Sequence, residues 1–283
     1  MSHPDKPLLA GVMGCPIKHS LSPILHNYWF KEECLQGSYV PLLVEPDKLK
    51  SALRSLVKLG FSGCNLTIPL KELAIEIVDD CCEHSKKIGA INCVSVQPNG
   101  FLYGSNYDWS GFVNGIKYAF PDFQLKDKIV TVLGAGGSSR AVCYGLLSEG
   151  VSEILLINRT TSKAESLKQD LGEAIKVVKW EDRHSYLSDI SLFVNTTNQG
   201  MAGETSLDIS LDMLPVEALV YDIIYNPLES ELLKVARNRG NMTLNGINML
   251  IHQAIPAWEQ WFNITPNSSE KLINIMEESV NSE

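Results

Sequence analysis

No apolar run in this sequence approaches the roughly 20 residues that a membrane-spanning helix needs, so a membrane-embedded protein is not expected. Positive charge is scarce. Lys and Arg number 24 against 33 Asp and Glu, the net charge is −9, and no basic run exceeds two residues. That balance argues against nucleic acid as a partner, because phosphate-backbone binding needs clustered cations. It leaves small anionic ligands open, since a few cations can act inside a cleft. The seven cysteines are odd in number and show no CxxC spacing, which argues against a disulfide framework and a zinc site. No secretory signal is visible around Met1–Pro7, so reduced thiols and a cytoplasmic location are expected. No histidines stand at HxxxH or HExxH spacing, and no GxSxG elbow occurs. A metal site is therefore not expected, and hydrolase chemistry fits poorly. Internal repeats and low-complexity stretches are also missing.

What is present is a chain of 283 residues, 45% hydrophobic, enough for one large or two ordinary domains. Its most informative stretch runs from Ile129 to Ala141. Ile129-Val130-Thr131-Val132-Leu133 reads as a buried strand. Gly134-Ala135-Gly136-Gly137-Ser138 then turns into a helical pattern with Ala141, Val142, Leu146 and Leu147 on one stripe. Strand, glycine turn and helix together place backbone N–H groups and a helix N-terminus against a phosphate. Gly134 permits the tight turn and Gly136 lets the backbone approach a pyrophosphate. Ser139 holds the third fingerprint position in place of glycine.

The segments before this stretch alternate in type. Leu8–Gly14, Tyr39–Val44 and Gly63–Ile68 read as strands. Helices are expected from Ser22 as N-cap with Pro23 first in the helix, from Pro46 to Gly60, and from Pro69 through Val78 on a 3.6-residue apolar stripe. Ile91–Val96 and Phe101–Tyr103 flank Pro98-Asn99-Gly100 as a hairpin. A mostly parallel sheet follows from that alternation. Beyond the glycine stretch, strands are expected at 153–158, 175–178, 190–195, 218–224 and 242–244, a count that suits a doubly wound dinucleotide-binding domain. The two helical stretches after Asn248 are too few to form a domain and are expected to pack back on the first one. The fold class expected is therefore α/β with two domains. A discontinuous α/β substrate domain with a mostly parallel sheet spans 1–108 plus 240–283, and a Rossmann-type nucleotide domain spans 109–239.

The chemistry is read from a few positions. The strand 153–158 ends in Asn158-Arg159-Thr160, where an NAD site usually carries an acid for the ribose hydroxyl. A neutral Asn158 followed by Arg159, with Lys163 one turn on, suits a 2′-phosphate and favours NADP. The other reading of Arg159 is a solvated strand-end charge. Lys71 falls in the first turn of its helix, where the macrodipole disfavours a cation by roughly 0.3–1 kcal/mol. Asn65 and Thr67 alternate along the strand before it and share a face. The three make a polar cluster at the C-terminal end of a parallel strand, where open α/β sheets bind ligands. Lys71 can act there as general acid or base, or as a fixed charge; its other reading is a snorkelling surface lysine. Ser20 and Ser22 either cap a helix or receive a carboxylate at its N-terminus, and Asp108 either caps the next helix or faces Lys71.

These motifs, in order, resemble the shikimate dehydrogenase family over essentially the whole chain. The matching stretches are Ser20-Leu21-Ser22-Pro23, Asn65 through Lys71, Gly89-Ala90-Ile91-Asn92, Asn106-Tyr107-Asp108, Gly134 through Gly137, Asn158-Arg159-Thr160, Asn195-Thr196-Thr197 with Gly200-Met201, Asp222 through Pro227, and Asn245-Gly246 with Met249-Leu250 and Gln253. The resemblance implies reversible NADPH-dependent reduction of 3-dehydroshikimate to shikimate in the aromatic precursor (chorismate) pathway. It implies that Ser20 and Ser22 hold the substrate carboxylate with Tyr225 nearby, and that Asn65, Thr67, Lys71, Asn92, Asp108 and Gln253 bind the ring hydroxyls. Lys71 and Asp108 form the implied catalytic pair, Lys71 supplying the proton. Gly134, Ala135, Gly136, Gly137 and Ser138 are implied at the pyrophosphate, Asn158, Arg159, Thr160 and Lys163 at the 2′-phosphate, and Thr196, Gly246 and Met249 beside the nicotinamide. The expected partner is a small molecule, and a homodimer is compatible with the reading.

Two positions depart from the family pattern. Tyr107 stands where the family usually has Thr, which is expected to crowd the hinge or alter cleft closure. Thr197-Asn198-Gln199-Gly200-Met201 lacks the proline often found there, and a more mobile loop is expected. The competing readings are a quinate/shikimate enzyme with broader substrate or NAD use, against which Arg159 argues, and a non-catalytic NADP-binding sensor, against which Lys71 and Asp108 argue.

Overall fold

The computed structural model describes residues 7–282. It divides into two compact units. One reaches to Tyr107 and resumes over Ile251–Met276; the other holds Asp108–Leu250 and the residues from Glu277 on.

The first unit contains β1 (Leu8–Gly14), α1 (Ser22–Glu32), β2 (Gly37–Leu43), α2 (Leu49–Leu59), β3 (Gly63–Leu66), α3 (Leu70–Leu73), β4 (Asp80–Cys81), α4 (Glu83–Ile88), β5 (Cys93–Val96) and β6 (Leu102–Ser105). The sheet order is β2-β1-β3-β5-β6-β4. β5 is antiparallel to both its neighbours and every other pairing is parallel, so β5 alone runs against the rest. Alternation along the strands separates two faces. Cys64, Leu66 and Val94 pack with Leu49, Leu53 and Leu56 of α2. Burial of each of those leucines contributes roughly 1.5–3 kcal/mol. Gly60 ends α2 with φ +77°, a left-handed cap that glycine adopts without strain.

The second unit opens with α5 (Asp108–Ala119) and continues with β7 (Ile129–Leu133), α6 (Gly137–Ser148), β8 (Glu153–Ile157), α7 (Thr161–Leu171), β9 (Ile175–Val178), β10 (Leu192–Asn195), β11 (Leu219–Asp222), α8 (Glu231–Arg239) and β12 (Thr243–Leu244). Its order is β12-β11-β10-β7-β8-β9, with every pairing parallel. This is the doubly wound arrangement, with its switch point between β7 and β10. Val130, Val132, Ile154, Leu156 and Val194 fill one side together with Phe112, Val142 and Leu146; Leu133, Leu155, Ile157, Phe193 and Val220 fill the other. α9 (Ile247–Phe262) and α10 (Glu270–Asn281) follow. Trp258 and Phe262 of α9 pack on Phe30 of α1, at ring distances of 4.8 and 5.5 Å.

Three expectations change. The helix expected from Pro69 through Val78 is one α-turn, Leu70–Leu73, followed by a 3-10 turn at Ala74–Glu76. The chain is drawn off by the sheet edge: Asp79 N–H donates to Leu102 O (2.9 Å) and Cys82 N–H to Gly104 O (3.0 Å). The N-cap of α1 is Leu21, with Ser22 the first helical residue. The stretch 240–250 lies with the second unit, because β12 pairs with β11.

Candidate active site

In the first unit the candidate residues gather at the C-terminal ends of β1 and β3. Thr67 N–H donates to Met13 O (2.9 Å) and Cys15 N–H to Ile68 O (3.0 Å), so the two strand exits leave side by side. Gly14 allows this, since a Cβ there would overlap the Thr67 methyl. The exit of β1 leads to Ser20 and Ser22. Leu21 supplies no side-chain cap to α1, and Ser20 Oγ accepts from the Ser22 N–H at 3.4 Å. The exit of β3 leads to Thr67 and half-buried Lys71, whose carbonyl accepts from the Ile91 N–H (2.8 Å).

Beside them runs a chain of buried amides. Asn65 Nδ2 donates to Asn92 O (3.0 Å), and Asn92 Nδ2 donates to Gln253 Oε1 (2.9 Å). Asn92 Oδ1 accepts from the Tyr107 N–H at 2.8 Å, and Asn106 Nδ2 donates to Ala90 O at 2.9 Å. These bonds pin the segment after β6 to the segment before β5. Tyr107 is half-buried and its hydroxyl donates to Gln260 Oε1 (2.9 Å), so the larger side chain has a defined seat in this unit. Burial raises its phenol above the ordinary tyrosine range. Buried neutral amides suit a polyhydroxylated ligand, which needs donors and acceptors in equal measure.

In the second unit the glycine stretch sits at the switch point. Gly134 has φ +108°, and a Cβ there would press on Thr196 Oγ1 and Ser139 Oγ. Thr196 donates its hydroxyl to Leu133 O (2.5 Å), so it accepts at its short contact with Ser139, and Ser139 is the donor. Ser139 in the third fingerprint slot thus ties the first turn of α6 to the loop after β10. α6 starts after Gly136, which offers no side-chain cap, is exposed, and would meet nothing within 4 Å if it carried a Cβ. A helix N-terminus entered through an exposed glycine receives an anion, so these residues fit a dinucleotide pyrophosphate. At the end of β8, Asn158 Nδ2 donates to Thr160 O (2.8 Å), and Thr160 is the N-cap of α7 without a side-chain capping bond. Arg159, Thr160 and Lys163 are exposed around that helix start. Gly246 follows β12, and a Cβ there would overlap Ile223 O; Met249 is buried.

Two groups that head matching motif stretches but carry no expected site role hold the loops here. Asn195 Nδ2 donates to Gln199 O (3.1 Å), and its Oδ1 accepts from the Thr197 N–H and hydroxyl (3.0 and 2.8 Å). This amide braces the loop that lacks proline. Asn195 also donates to Asp222 Oδ1 (3.0 Å), which accepts the Ile224 N–H (3.2 Å) as well. Asp222 Oδ2 accepts from Ser230, the N-cap of α8, at 2.5 Å. Their signal in sequence is a polar residue ending an apolar strand, which many strands show without consequence.

Burial pushes the Asp222 carboxyl up to about 6; its three hydrogen bonds pull the other way without cancelling it. A raised folded-state value favours the native state fully below the ordinary carboxylate range, and that contribution is lost as pH rises through 6. The change from 3.8 to about 6 corresponds to roughly 3 kcal/mol. Asp222→Asn is expected to remove this slope. Urea unfolding of both proteins from pH 4 to 8 should show the parent losing stability relative to the variant up to about pH 6, then a constant difference. A difference that stays flat across the whole range would refute the assignment.

The described residues contain no group of His, Cys, Asp or Glu able to hold a metal ion, and no described helix is long and apolar enough to cross a membrane. Lys71 lies in the first unit, whereas Asp108, Tyr225 and the nucleotide-side candidates lie in the second.

Comparison with known proteins matches both units. The family model described as the shikimate dehydrogenase substrate binding domain covers residues 12–94, and that described as shikimate / quinate 5-dehydrogenase covers 117–203. An NADP(+) shikimate dehydrogenase of Paramagnetospirillum magneticum is 42% identical over 267 residues, covering 94% of this chain and 97% of that protein. The chain belongs to the shikimate dehydrogenase family. The crystal structure of shikimate dehydrogenase from Aquifex aeolicus is similar at a TM-score of 0.87 and 35% identity, covering 99% of both chains. The Thermus thermophilus enzyme in complex with NADP(H) and shikimate matches at 0.85 and 31%, covering 97% of this chain and 99% of that one. Membership in this family supports the α/β class with a substrate domain and a Rossmann domain, and it makes the chain an oxidoreductase.

Proposed function

We propose that the chain catalyses the reversible NADPH-dependent reduction of 3-dehydroshikimate to shikimate, a step toward aromatic precursors. The observation that carries this reading is the buried amide chain Asn65–Asn92–Gln253, placed beside Thr67 and Lys71 at the strand exits of a chain in this family. Neutral donors and acceptors recognise the ring hydroxyls. Ser20, Ser22 and the first turn of α1 receive the single carboxylate, with Tyr225. The nicotinamide cofactor, when bound, supplies the hydride. Lys71 provides the proton as the carbonyl oxygen gains charge, and Asp108 bonds the same substrate edge and orients Lys71. Gly134 to Ser138 hold the pyrophosphate, Asn158, Arg159, Thr160 and Lys163 the 2′-phosphate, and Thr196, Gly246 and Met249 the nicotinamide side. The substrate domain is the first unit and the nucleotide domain the second.

Initial rates in a matrix of shikimate or quinate with NADP⁺ or NAD⁺, followed at the nicotinamide absorbance, test the reading. Shikimate with NADP⁺ is expected to be the fastest pair. No turnover with shikimate, or equal rates with quinate and NAD⁺, would overturn it.

A further inference from the structure

We propose that Tyr39 is a positioning residue for the substrate, acting by locking the amide of Asn65 in one orientation. Tyr39 lies on β2, is 1% exposed, and its hydroxyl sits 2.7 Å from Asn65 Oδ1 in a buried contact. The direction of that bond follows from the other end of the amide. Asn92 O is a carbonyl and can only accept, so the group 3.0 Å from it is the Asn65 nitrogen. The oxygen of the amide therefore faces Tyr39, and the phenol donates. The inference rests on the reading of Asn65 as a group that bonds the substrate ring. On that reading the amide keeps one N–H and one lone pair to offer; Asn92 O sets which end is the nitrogen, and the Tyr39 O–H anchors the oxygen end.

Two side chains hold Tyr39 in place. Asn27 clamps its backbone from both sides: Nδ2 donates to Tyr39 O at 2.8 Å and Oδ1 accepts from the Tyr39 N–H at 2.9 Å. His26 lies flat on the phenol ring, with centroids 3.9 Å apart and planes at 2°. His26 is in turn fixed by Trp258, whose indole N–H donates to its Nδ1 at 2.6 Å. Full burial pushes the imidazole down to about 3, so it acts as a flat neutral brace and not as a charge. His26 and Asn27 stand on α1, the helix whose first turn carries Ser22. One short helix thus serves the carboxylate end at its start and the ring end through Tyr39. An amide torsion is broad, so without the phenol O–H the Asn65 side chain keeps only its bond to Asn92 O and swings about that single anchor, blurring the direction in which its free N–H and lone pair point.

Tyr39→Phe removes the hydroxyl and leaves the ring stack and backbone clamp. Initial rates are compared for this variant, for Asn65→Ala and for the double variant, with shikimate and NADP⁺ each varied. Tyr39→Phe is expected to raise KM for shikimate about tenfold, with KM for NADP⁺ unchanged. In the Asn65→Ala background the same change is expected to add nothing, because the group it acts through is gone. An unchanged shikimate KM in Tyr39→Phe, equal rises in both KM values, or effects that multiply fully in the double variant would each overturn the proposal. An unchanged shikimate KM in Asn65→Ala would instead overturn the reading of Asn65 on which it rests. Should Tyr39→Phe not fold, Asn27→Ala loosens the same clamp, and an unchanged shikimate KM there overturns the proposal equally.

Discussion

Lys71→Ala is expected to lower kcat by roughly two to four orders of magnitude, the usual contribution of a positioned proton donor. The fold should tolerate the change. Lys71 is held in place by its main chain, with its carbonyl accepting from the Ile91 N–H and the preceding Leu70 N–H bonded to Thr67 O (2.8 Å for each). Those bonds survive truncation of the side chain, and Leu70, which anchors the turn in the core, is untouched. Binding of NADP⁺ is expected to stay at the parent level, because the proposed cofactor residues lie in the other unit. Single-turnover measurements separate the chemical step from product release. If the variant keeps near-parent kcat, the proton comes from another group and the assignment of Lys71 fails.

The second large effect is on cofactor choice. Arg159→Ala is expected to raise KM for NADP⁺ by roughly ten- to a hundredfold, the loss of a charge-assisted hydrogen-bond pair. NAD⁺ lacks the 2′-phosphate, so its KM should hardly move. The ratio of the two specificity constants therefore carries the test, and it is insensitive to general damage. Arg159 is exposed at the end of β8, beyond the buried strand residues, so its removal leaves the packing intact. An unchanged NADP⁺-to-NAD⁺ ratio would make Arg159 an ordinary solvated charge.

The nucleotide half is legible in sequence because its signals are local. Buried parallel strands read as short β-branched runs, and a glycine marks the place where backbone must turn or approach. Each of the six strands is found close to its expected position. The first half is harder where long-range pairing outweighs local pattern. Leu70, Leu73, Ala74, Ile77 and Val78 fit one continuous helix, yet the pairing of β4 with β6 pulls the chain away after four residues. Asp79 makes the pull firm. Its carboxylate takes the Leu102 N–H at 2.8 Å and two bonds from Arg54, which hold it down to about 2. A two-residue strand such as β4 leaves no period to read. The strand at 242–244 is legible, but its partner is not: only its pairing with β11 assigns 240–250 to the second unit.

The candidate site is legible to the extent that it is built along one strand. Asn65 and Thr67 share a face by alternation alone, and Lys71 follows within one turn. Tyr39, His26 and Asn27 leave no such trace. Their effect on Asn65 depends on two elements meeting in space, and an aromatic residue in a strand is ordinary core by composition.

Ser139 alters what counts as a change at the glycine stretch. The fingerprint would be completed by Ser139→Gly, yet that substitution takes a donor away from Thr196 on a separate strand exit. Positions 139 and 196 are therefore one hydrogen-bonded pair. A glycine at the first leaves the second without its donor, and a pattern that scores the loop alone counts as a defect what is half of a pair.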